Sequence, residues 1–364
     1  MQRLALAMRG QFPALIHLSL TCDHLNLSWS FPDGFLDGSA PLLQSLELQY
    51  FGFPALPNFL LSATHLVHLT FKQHCNYRHI PPEEIVNCLA VLSKLKSLTL
   101  QIDSFPSPGR ESRHAPPPTS VILPVLTHFE FDGYLGYLEI LVARIDAPLL
   151  DSIRIGLFSH PTYDFPQLAR FMRRSTSFQP PNELHVYFRQ SGMHVRSFPP
   201  RRDFGEGFRL NLSCSYYWDC SPLVQGFASL LPSIHMVDHL YIYSPSQHLS
   251  PAYRGYVDFF HLLTGVKNLY ISSGLAERIA LELIDLVRRR VEDVLPALEC
   301  ILLEDLQLSG YFQEQIDYIQ ERIGQFVASP QLLGRPVAIS PWNKTGDHFE
   351  FRDYCPVWYG DPKS

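Results

Sequence analysis

Histidine is the residue type in this chain whose abundance most invites a chemical role. The chain has 16 histidines, and imidazole is a common ligand of zinc. His65 and His68 lie three residues apart, His74 adjoins Cys75, and His79 follows. Zinc sites in proteins usually show tighter paired spacings, so ligation has to be weighed against a structural explanation of the same residues.

That explanation is a repeated position. Several histidines directly precede the first apolar residue of a predicted strand: His17, His68, His128, His185 and His239. A repeat position accounts for them better than ligation does, and we predict no metal ligands.

Sequence motifs for catalysis are absent. The chain has no Gly-x-x-x-x-Gly-Lys-Ser/Thr loop, no Gly-x-Ser-x-Gly turn and no His-Glu-x-x-His. We therefore predict no catalytic residues and no cofactor, and expect that the protein is not an enzyme. An enzyme built on the repeats described below would instead need acids or histidines clustered in a pocket.

Composition and net charge limit the kinds of partner that this chain is expected to bind. A net charge of -6 argues against nucleic acid, which requires concentrated Lys and Arg. No segment has the roughly 18 apolar residues that cross a membrane. The 7 cysteines are odd in number and unpatterned, which is typical of reduced intracellular thiols. We expect a cytoplasmic or nuclear protein that binds neither nucleic acid nor membranes.

A short phrase recurs along the chain and indicates how the residues are positioned. It reads Ala/Leu-Pro-x-Leu-x-x-Leu-x-Leu, as in residues 40–48, 123–131 and 147–155. Its copies lie about 28 residues apart, within the range of leucine-rich repeats. Aligned on the first strand leucine or its equivalent, the copies are Leu18, Leu46, Leu69, Leu98, Phe129, Ile153, Val186, Leu210, Leu240, Leu269 and Ile301.

The phrase alternates apolar and polar residues with the period of a strand. Segments 81–92, 165–174, 275–295 and 310–328 have helical spacing, and a last strand is predicted at 336–340. The predicted fold is α/β: a leucine-rich-repeat solenoid with a curved parallel sheet inside and helices outside. About eleven irregular repeats occupy residues 1–340, and 341–364 form a C-terminal cap or tail.

Two polar segments are predicted to be exposed insertions, near 105–120 and 190–207. The second carries Arg196, Arg201 and Arg202, which with Arg189 make a local basic spot. That spot could meet an acidic partner or a phosphate group, although such a charge run is more often a solvated loop.

Residues that alternate with the strand leucines should face the concave side of the array, and they change along the chain from small and acidic to tyrosine-rich. Tyrosine and arginine are favoured where proteins bind proteins, although tyrosine also simply suits strands. We expect the tyrosines to point outward, so that Tyr241 and Tyr243 tolerate alanine without loss of the fold. The candidate partner-binding residues are Glu130, Asp132, Arg154, Tyr187, Arg189, Tyr241, Tyr243 and Tyr270.

The chain resembles the leucine-rich-repeat regions of F-box proteins from mushroom-forming fungi. The resemblance rests on the recurring phrase, the Pro-rich insertion, the irregular spacing and the aromatic Pro341-Trp342 ending. It implies a substrate-binding array for a cullin-type ubiquitin ligase, joined through an F-box to a Skp-type adaptor. The Leu-Pro-x-Glu opening of an F-box does not occur near this N-terminus.

The array also begins without a polar capping repeat, since 1–8 reads as the tail of a repeat helix. We therefore expect further sequence upstream, and adaptor binding only where an upstream F-box exists. The leading hypothesis is a non-enzymatic module that holds a protein substrate on its concave face. The alternative is a leucine-rich-repeat scaffold, or a degenerate repeat protein, with no link to a ligase.

Overall fold

The computed structural model describes most of the chain. The described residues are 8, 10, 12–22, 31, 34–53, 55–73, 80–102, 120–158, 164–189, 192–198, 209–215, 226, 229–231, 233–244, 260–289, 294–307, 310–329 and 335–342. The predicted insertion near 105–120 lies outside them, apart from Ser120.

Strands make up most of the regular structure. In chain order they are β1 His17–Thr21, β2 Ser45–Gln49, β3 His68–Gln73, β4 Ser97–Ile102, β5 Val121–Ile122, β6 His128–Gly133, β7 Ile145–Asp146, β8 Ser152–Leu157, β9 Glu183–Arg189, β10 Gly192–Phe198, β11 Arg209–Ser215, β12 His239–Tyr243, β13 Asn268–Ile271, β14 Cys300–Glu304 and β15 Ala338–Trp342.

Helices connect many of the strands. They are α1 Leu56–Ser62, α2 Pro82–Leu89, α3 Leu135–Val142, α4 Pro166–Arg173, α5 Ser273–Arg288 and α6 Gln313–Val327, with 3-10 turns at Phe35–Gly38 and Ile234–Met236. Proline stands in the first turn of α1, α2 and α4, where its missing N–H costs no hydrogen bond. The four predicted helices are present, and α5 is shorter than the predicted 275–295.

Thirteen strands form one sheet in the order β1-β2-β3-β4-β6-β8-β11-β10-β9-β12-β13-β14-β15. Neighbours pair in parallel except β10, which is antiparallel to both β9 and β11. β5 and β7 form a separate two-stranded sheet. Among the described strands, β1 and β15 are the two ends of the large sheet, which does not close into a barrel. The predicted α/β class with a mainly parallel sheet is confirmed.

The recurring phrase folds into the same turn before successive strands. Before β2, the Leu43 N–H donates to the Ala40 carbonyl at 3.1 Å, and the N–H groups of Gln44 and Ser45 both donate to the Ile16 carbonyl. The same double acceptance recurs at the carbonyls of Gln44, Val67, Lys96, Thr127, Asn182, Asp238 and Lys267. These bonds hold each strand start beside the next and keep the strands in register.

The core lies on one face of the sheet, as strand alternation requires. Leu46, Leu69 and Leu98 stand in register and are buried. The helices pack on this face, because their buried side chains belong to the same apolar cluster as the strand leucines. Neighbouring helices also contact one another, α1 with α2, α2 with α3, α3 with α4, and α5 with α6.

The segment after β8 differs from the prediction. In the sheet, β11 and β10 lie between β8 and β9, although they follow β9 in the chain. Gly192–Phe198 is therefore a strand inside the sheet, and the prediction that it is an exposed loop is wrong. Met193 and Val195 are buried. The period-two spacing of Met193 and Val195 indicates a strand, whereas the neighbouring Pro, Gly and Arg residues indicate a loop.

The predicted alignment of β9 with the other strands is wrong by two residues. The register pairs Leu240 with Leu184 rather than with Val186. A shift of two preserves which face a residue occupies, so Tyr187 still faces away from the leucine core. The same shift puts His185, not Tyr187, beside Tyr241.

A close backbone approach makes a testable demand for glycine before β13. A Cβ on Gly265 would lie 2.0 Å from the His235 carbonyl oxygen, so Gly265→Ala should lower the free energy of unfolding by about 1–3 kcal/mol. Gly136 in α3 has open space around its Cα, and Gly136→Ala should raise that free energy by about 0.4–1 kcal/mol. Urea unfolding of both variants checks this. Equal effects would contradict the close approach.

Candidate binding face of the sheet

The face of the large sheet opposite the leucine core, here called the polar face, is where strand neighbours differ in chemistry. The strand register aligns its positions into two rows that cross the strands. The first row is Ser19, Glu47, Thr70, Thr99, Glu130, Arg154, Asn211, Arg196, His185, Tyr241, Tyr270, Leu302 and Ser340. The second row runs through Thr21, Gln49, Lys72, Gln101, Asp132, Gly156, Ser213, His194, Tyr187 and Tyr243, and Glu304 pairs with Trp342 further along.

The first strands carry hydroxyl, amide and charged groups that are exposed or half-buried. Glu47 is the ordered acid there: the Ser19 hydroxyl donates to Glu47 Oε2 at 2.7 Å, and the Gln49 amide donates to Glu47 Oε1. These hydrogen bonds, that of Ser19 first, lower the pKa of Glu47. Its carboxylate is thus charged and held in place at neutral pH.

The predicted acidic spot in the middle of the face is largely neutralised. Glu130 Oε1 lies 3.4 Å from Arg154 Nη1 across β6 and β8, with both side chains about a quarter exposed. Asp132 is only 8% exposed. Glu130 and Arg154 are therefore brought together as an ion pair, and Asp132, two residues after Glu130 on β6, is buried rather than part of an open acidic patch.

The tyrosines form a packed group, here called the tyrosine cluster: His185, Tyr187, Tyr241, Tyr243, Tyr270 and Trp342. Tyr241 stacks between Tyr270, with ring centroids 4.0 Å apart, and His185, at 4.2 Å. Tyr187 stacks on Tyr243 at 4.7 Å. The Trp342 ring lies 5.5 Å from those of both Tyr243 and Tyr270.

Stacking overturns the expectation of an open tyrosine surface. Tyr187 and Tyr241 are 9% exposed and Tyr243 is 3% exposed, while Tyr270 and Trp342 are partly buried. The predicted outward direction is right, because this cluster is separate from the leucine core. The prediction of exposure is wrong, because neighbouring strands bring the rings close enough to cover one another.

Burial also affects the ionisation of two phenols in the cluster. Desolvation raises the pKa of Tyr187 and of Tyr243, so both phenols are neutral at physiological pH. His185 is buried beside them, with Nε2 3.5 Å from the Glu183 carboxylate, and its ring is also 4.7 Å from that of Phe198. The Tyr187 and Tyr243 phenols therefore add no charge to the cluster, and His185 and Glu183 lie side by side at its edge.

Sequence reasoning missed His185 and Trp342 as members of the tyrosine cluster, and Phe198 as the ring beside His185. Aligning β9 on Leu184 would have placed His185 on the polar face. Arg196 joins that face from β10, where sequence composition predicted a loop. Arg189 is the last residue of β9.

Glu304, another acid on this side, serves a helix. It accepts hydrogen bonds from the N–H and hydroxyl of Ser273 at 2.9 and 3.0 Å, at the start of α5. A carboxylate there is favoured by the exposed N–H groups and the helix dipole.

The residues weighed as metal ligands are only partly described. His65 Nδ1 lies 3.1 Å from the Pro41 carbonyl oxygen, and His68 begins β3, while His74, Cys75 and His79 lie outside the described residues. In the described ranges, no group of three or more His, Cys, Asp or Glu is arranged to hold a metal. Cys22 and Cys88 are buried, the Cys88 thiol donates a hydrogen bond to the Pro57 carbonyl at 3.3 Å, and burial raises the pKa of Cys88 to about 11.

Comparison with known proteins found no match. No family model, no curated protein and no solved structure is similar to this chain at a significant level. Across the part of the chain that the structure describes, no helix has the length and apolar character needed to span a membrane.

Proposed function

We propose that this chain is a leucine-rich-repeat solenoid that recognises a protein on its polar face. One observation carries the proposal: turns and core leucines recur from strand to strand, while the residues in the two rows of the polar face change. A constant frame with variable side chains on one face is typical of repeat proteins that bind proteins. No catalytic residue, cofactor or metal is part of this proposal.

The contact surface within this proposal is the open part of the face, on β1 to β8. The tyrosine cluster is a poor candidate, because stacked and buried rings offer a partner little area. Ser19, Glu47, Thr70, Lys72 and Thr99 are at least partly exposed and lie in adjacent register positions. We place the partner there and treat the tyrosine cluster as the layer that stiffens the other half.

Adding bulk and charge to this surface tests the proposal. Thr70→Arg combined with Thr99→Arg should reduce partner binding by about tenfold or more, because long charged side chains would occupy the contact surface. Gln320→Arg on the exposed side of α6 adds the same side chain elsewhere and should bind normally. Proximity labelling in cells, carried out with the full gene product, compares the proteins recovered by the unmodified chain, by the double variant and by Gln320→Arg. Identical protein sets from all three would contradict the proposal.

The link to a ubiquitin ligase rests on the family resemblance alone. It predicts that the full gene product co-precipitates a Skp-type adaptor through an upstream F-box. Failure of co-precipitation would remove the ligase link and leave a recognition scaffold, which is the alternative function.

A further inference from the structure

Basic side chains gather at one edge of the sheet, beside the polar face. The strands β3, β4 and β6 are neighbours, and each starts at this edge. The side chains, here called the basic edge, are His65, His68, Lys94, Lys96 and His128, and all are exposed.

Backbone hydrogen bonds fix the order of the basic edge. The Val67 carbonyl accepts from the N–H groups of Lys96 and Ser97 at 2.8 and 3.1 Å, which sets Lys96 beside the start of β3. The Lys96 carbonyl accepts from Thr127 and His128 at 2.9 and 3.1 Å. Ser97 is thus aligned between His68 and His128, over a span of about 10 Å given the usual strand spacing, and Lys96 directly precedes Ser97.

Within the described ranges, acids near this edge do not pair with its lysines. Neither Lys94 nor Lys96 forms an ion pair with a described residue. Nearby acids are occupied elsewhere: Glu130 pairs with Arg154, and Glu47 is held by Ser19 and Gln49. Asp151, half-buried just before β8, is another acid near the start of β6, where its N–H donates to the Thr127 carbonyl.

The same repeat position is neutralised in another part of the sheet. The Lys267 carbonyl also accepts two N–H groups from the next strand, those of Glu299 and Cys300. Its ammonium lies 3.0 Å from Asp238. The lysine at this repeat position is therefore neutralised before β13, whereas no described acid pairs with Lys96 before β4.

We propose that the basic edge binds an acidic segment of a partner protein. Charge complementarity carries this: carboxylates would meet two ammonium groups that pair with no described acid, and three imidazoles that can donate hydrogen bonds. A protein segment is favoured over nucleic acid, since the patch is short and the chain carries a net charge of -6. This site goes beyond the polar-face proposal and can be tested without knowing the natural partner.

The test uses the full chain and a fluorescent synthetic peptide of alternating Glu and Ser, about twelve residues long. Fluorescence anisotropy should show binding that weakens as NaCl rises from about 50 to about 500 mM. The same peptide with Gln for Glu should not bind. Lys94→Glu with Lys96→Glu should weaken binding by about tenfold or more, and Lys267→Gln should leave it unchanged.

Three outcomes would overturn the proposal. One is no binding of the acidic peptide up to about 1 mM, which is weaker than a specific contact. A second is equal binding by the charge-reversed variant, with unchanged thermal melts showing that it is folded. A third is tight binding of a single-stranded DNA oligonucleotide while the peptide stays unbound, which would assign the edge to nucleic acid. None of these would bear on the Thr70 and Thr99 variants of the polar face.

Discussion

Tyr241→Ala should lower the free energy of unfolding by about 3–5 kcal/mol, as for other buried aromatic residues. Tyr241 is at the centre of the tyrosine cluster, with rings of Tyr270 and His185 on its two sides at 4.0 and 4.2 Å. Truncation would leave a cavity and also remove the stacking, worth about 0.5–1.5 kcal/mol for each aromatic pair beyond the buried area. Urea unfolding followed by near-UV circular dichroism measures both the stability and the packing of the rings.

Two variants separate stacking from other causes. Tyr241→Phe keeps the ring and should cost no more than about 1.5 kcal/mol, the usual value of one hydrogen bond. Tyr270→Ala removes a ring that is only partly buried and should cost less than Tyr241→Ala. If Tyr241→Ala unfolded like the unmodified chain, the rings would be outward and separate, as strand alternation alone predicts.

Leu240→Ala should lower the free energy of unfolding by about 2–5 kcal/mol, through lost burial and a cavity that the core cannot fill. Leu240 stands in β12 between Leu184 and Leu269 in register, and all three are fully buried. Thermal and urea unfolding measure the loss. Because many strands share this core, the variant should also be checked for a second transition, which would show that β12 to β15 unfold separately.

A matched control exists on the other side of the same sheet. Leu302 in β14 lies on the polar face and is half-buried, so Leu302→Ala removes the same atoms from a surface that can relax. We expect a loss of about 1 kcal/mol, typical of positions outside a packed core. Equal losses for Leu240→Ala and Leu302→Ala would mean that the two faces are not distinguished as described.

Together these variants separate the two layers that the sheet supports. The leucine layer is continuous with the helices, and the tyrosine cluster is a second, smaller apolar group on the polar face. A partner bound at β1 to β8 would therefore contact the half of the face that has no such second layer among its described residues.

Which face each strand residue occupies was readable from the sequence. Side chains alternate across a strand for local steric reasons, so Leu46, Leu98 and Leu240 could be assigned to the core from their spacing alone. Helix starts were also local, since proline fits the first turn of Pro82–Leu89 and Pro166–Arg173. These features depend on residues a few positions apart, so they are correct even in β9, where the predicted alignment differs from the observed one at Leu184 by two residues.

Strand order and the covering of the tyrosines were decided by the tertiary structure. The placement of β10 and β11 between β8 and β9 depends on pairing between segments distant along the chain, which a repeat pattern does not encode. Tyr187 and Tyr243 come from strands more than 50 residues apart, and their stacking requires β9 to lie beside β12. The direction of a side chain is a property of its own strand, whereas its exposure depends on which strand becomes its neighbour.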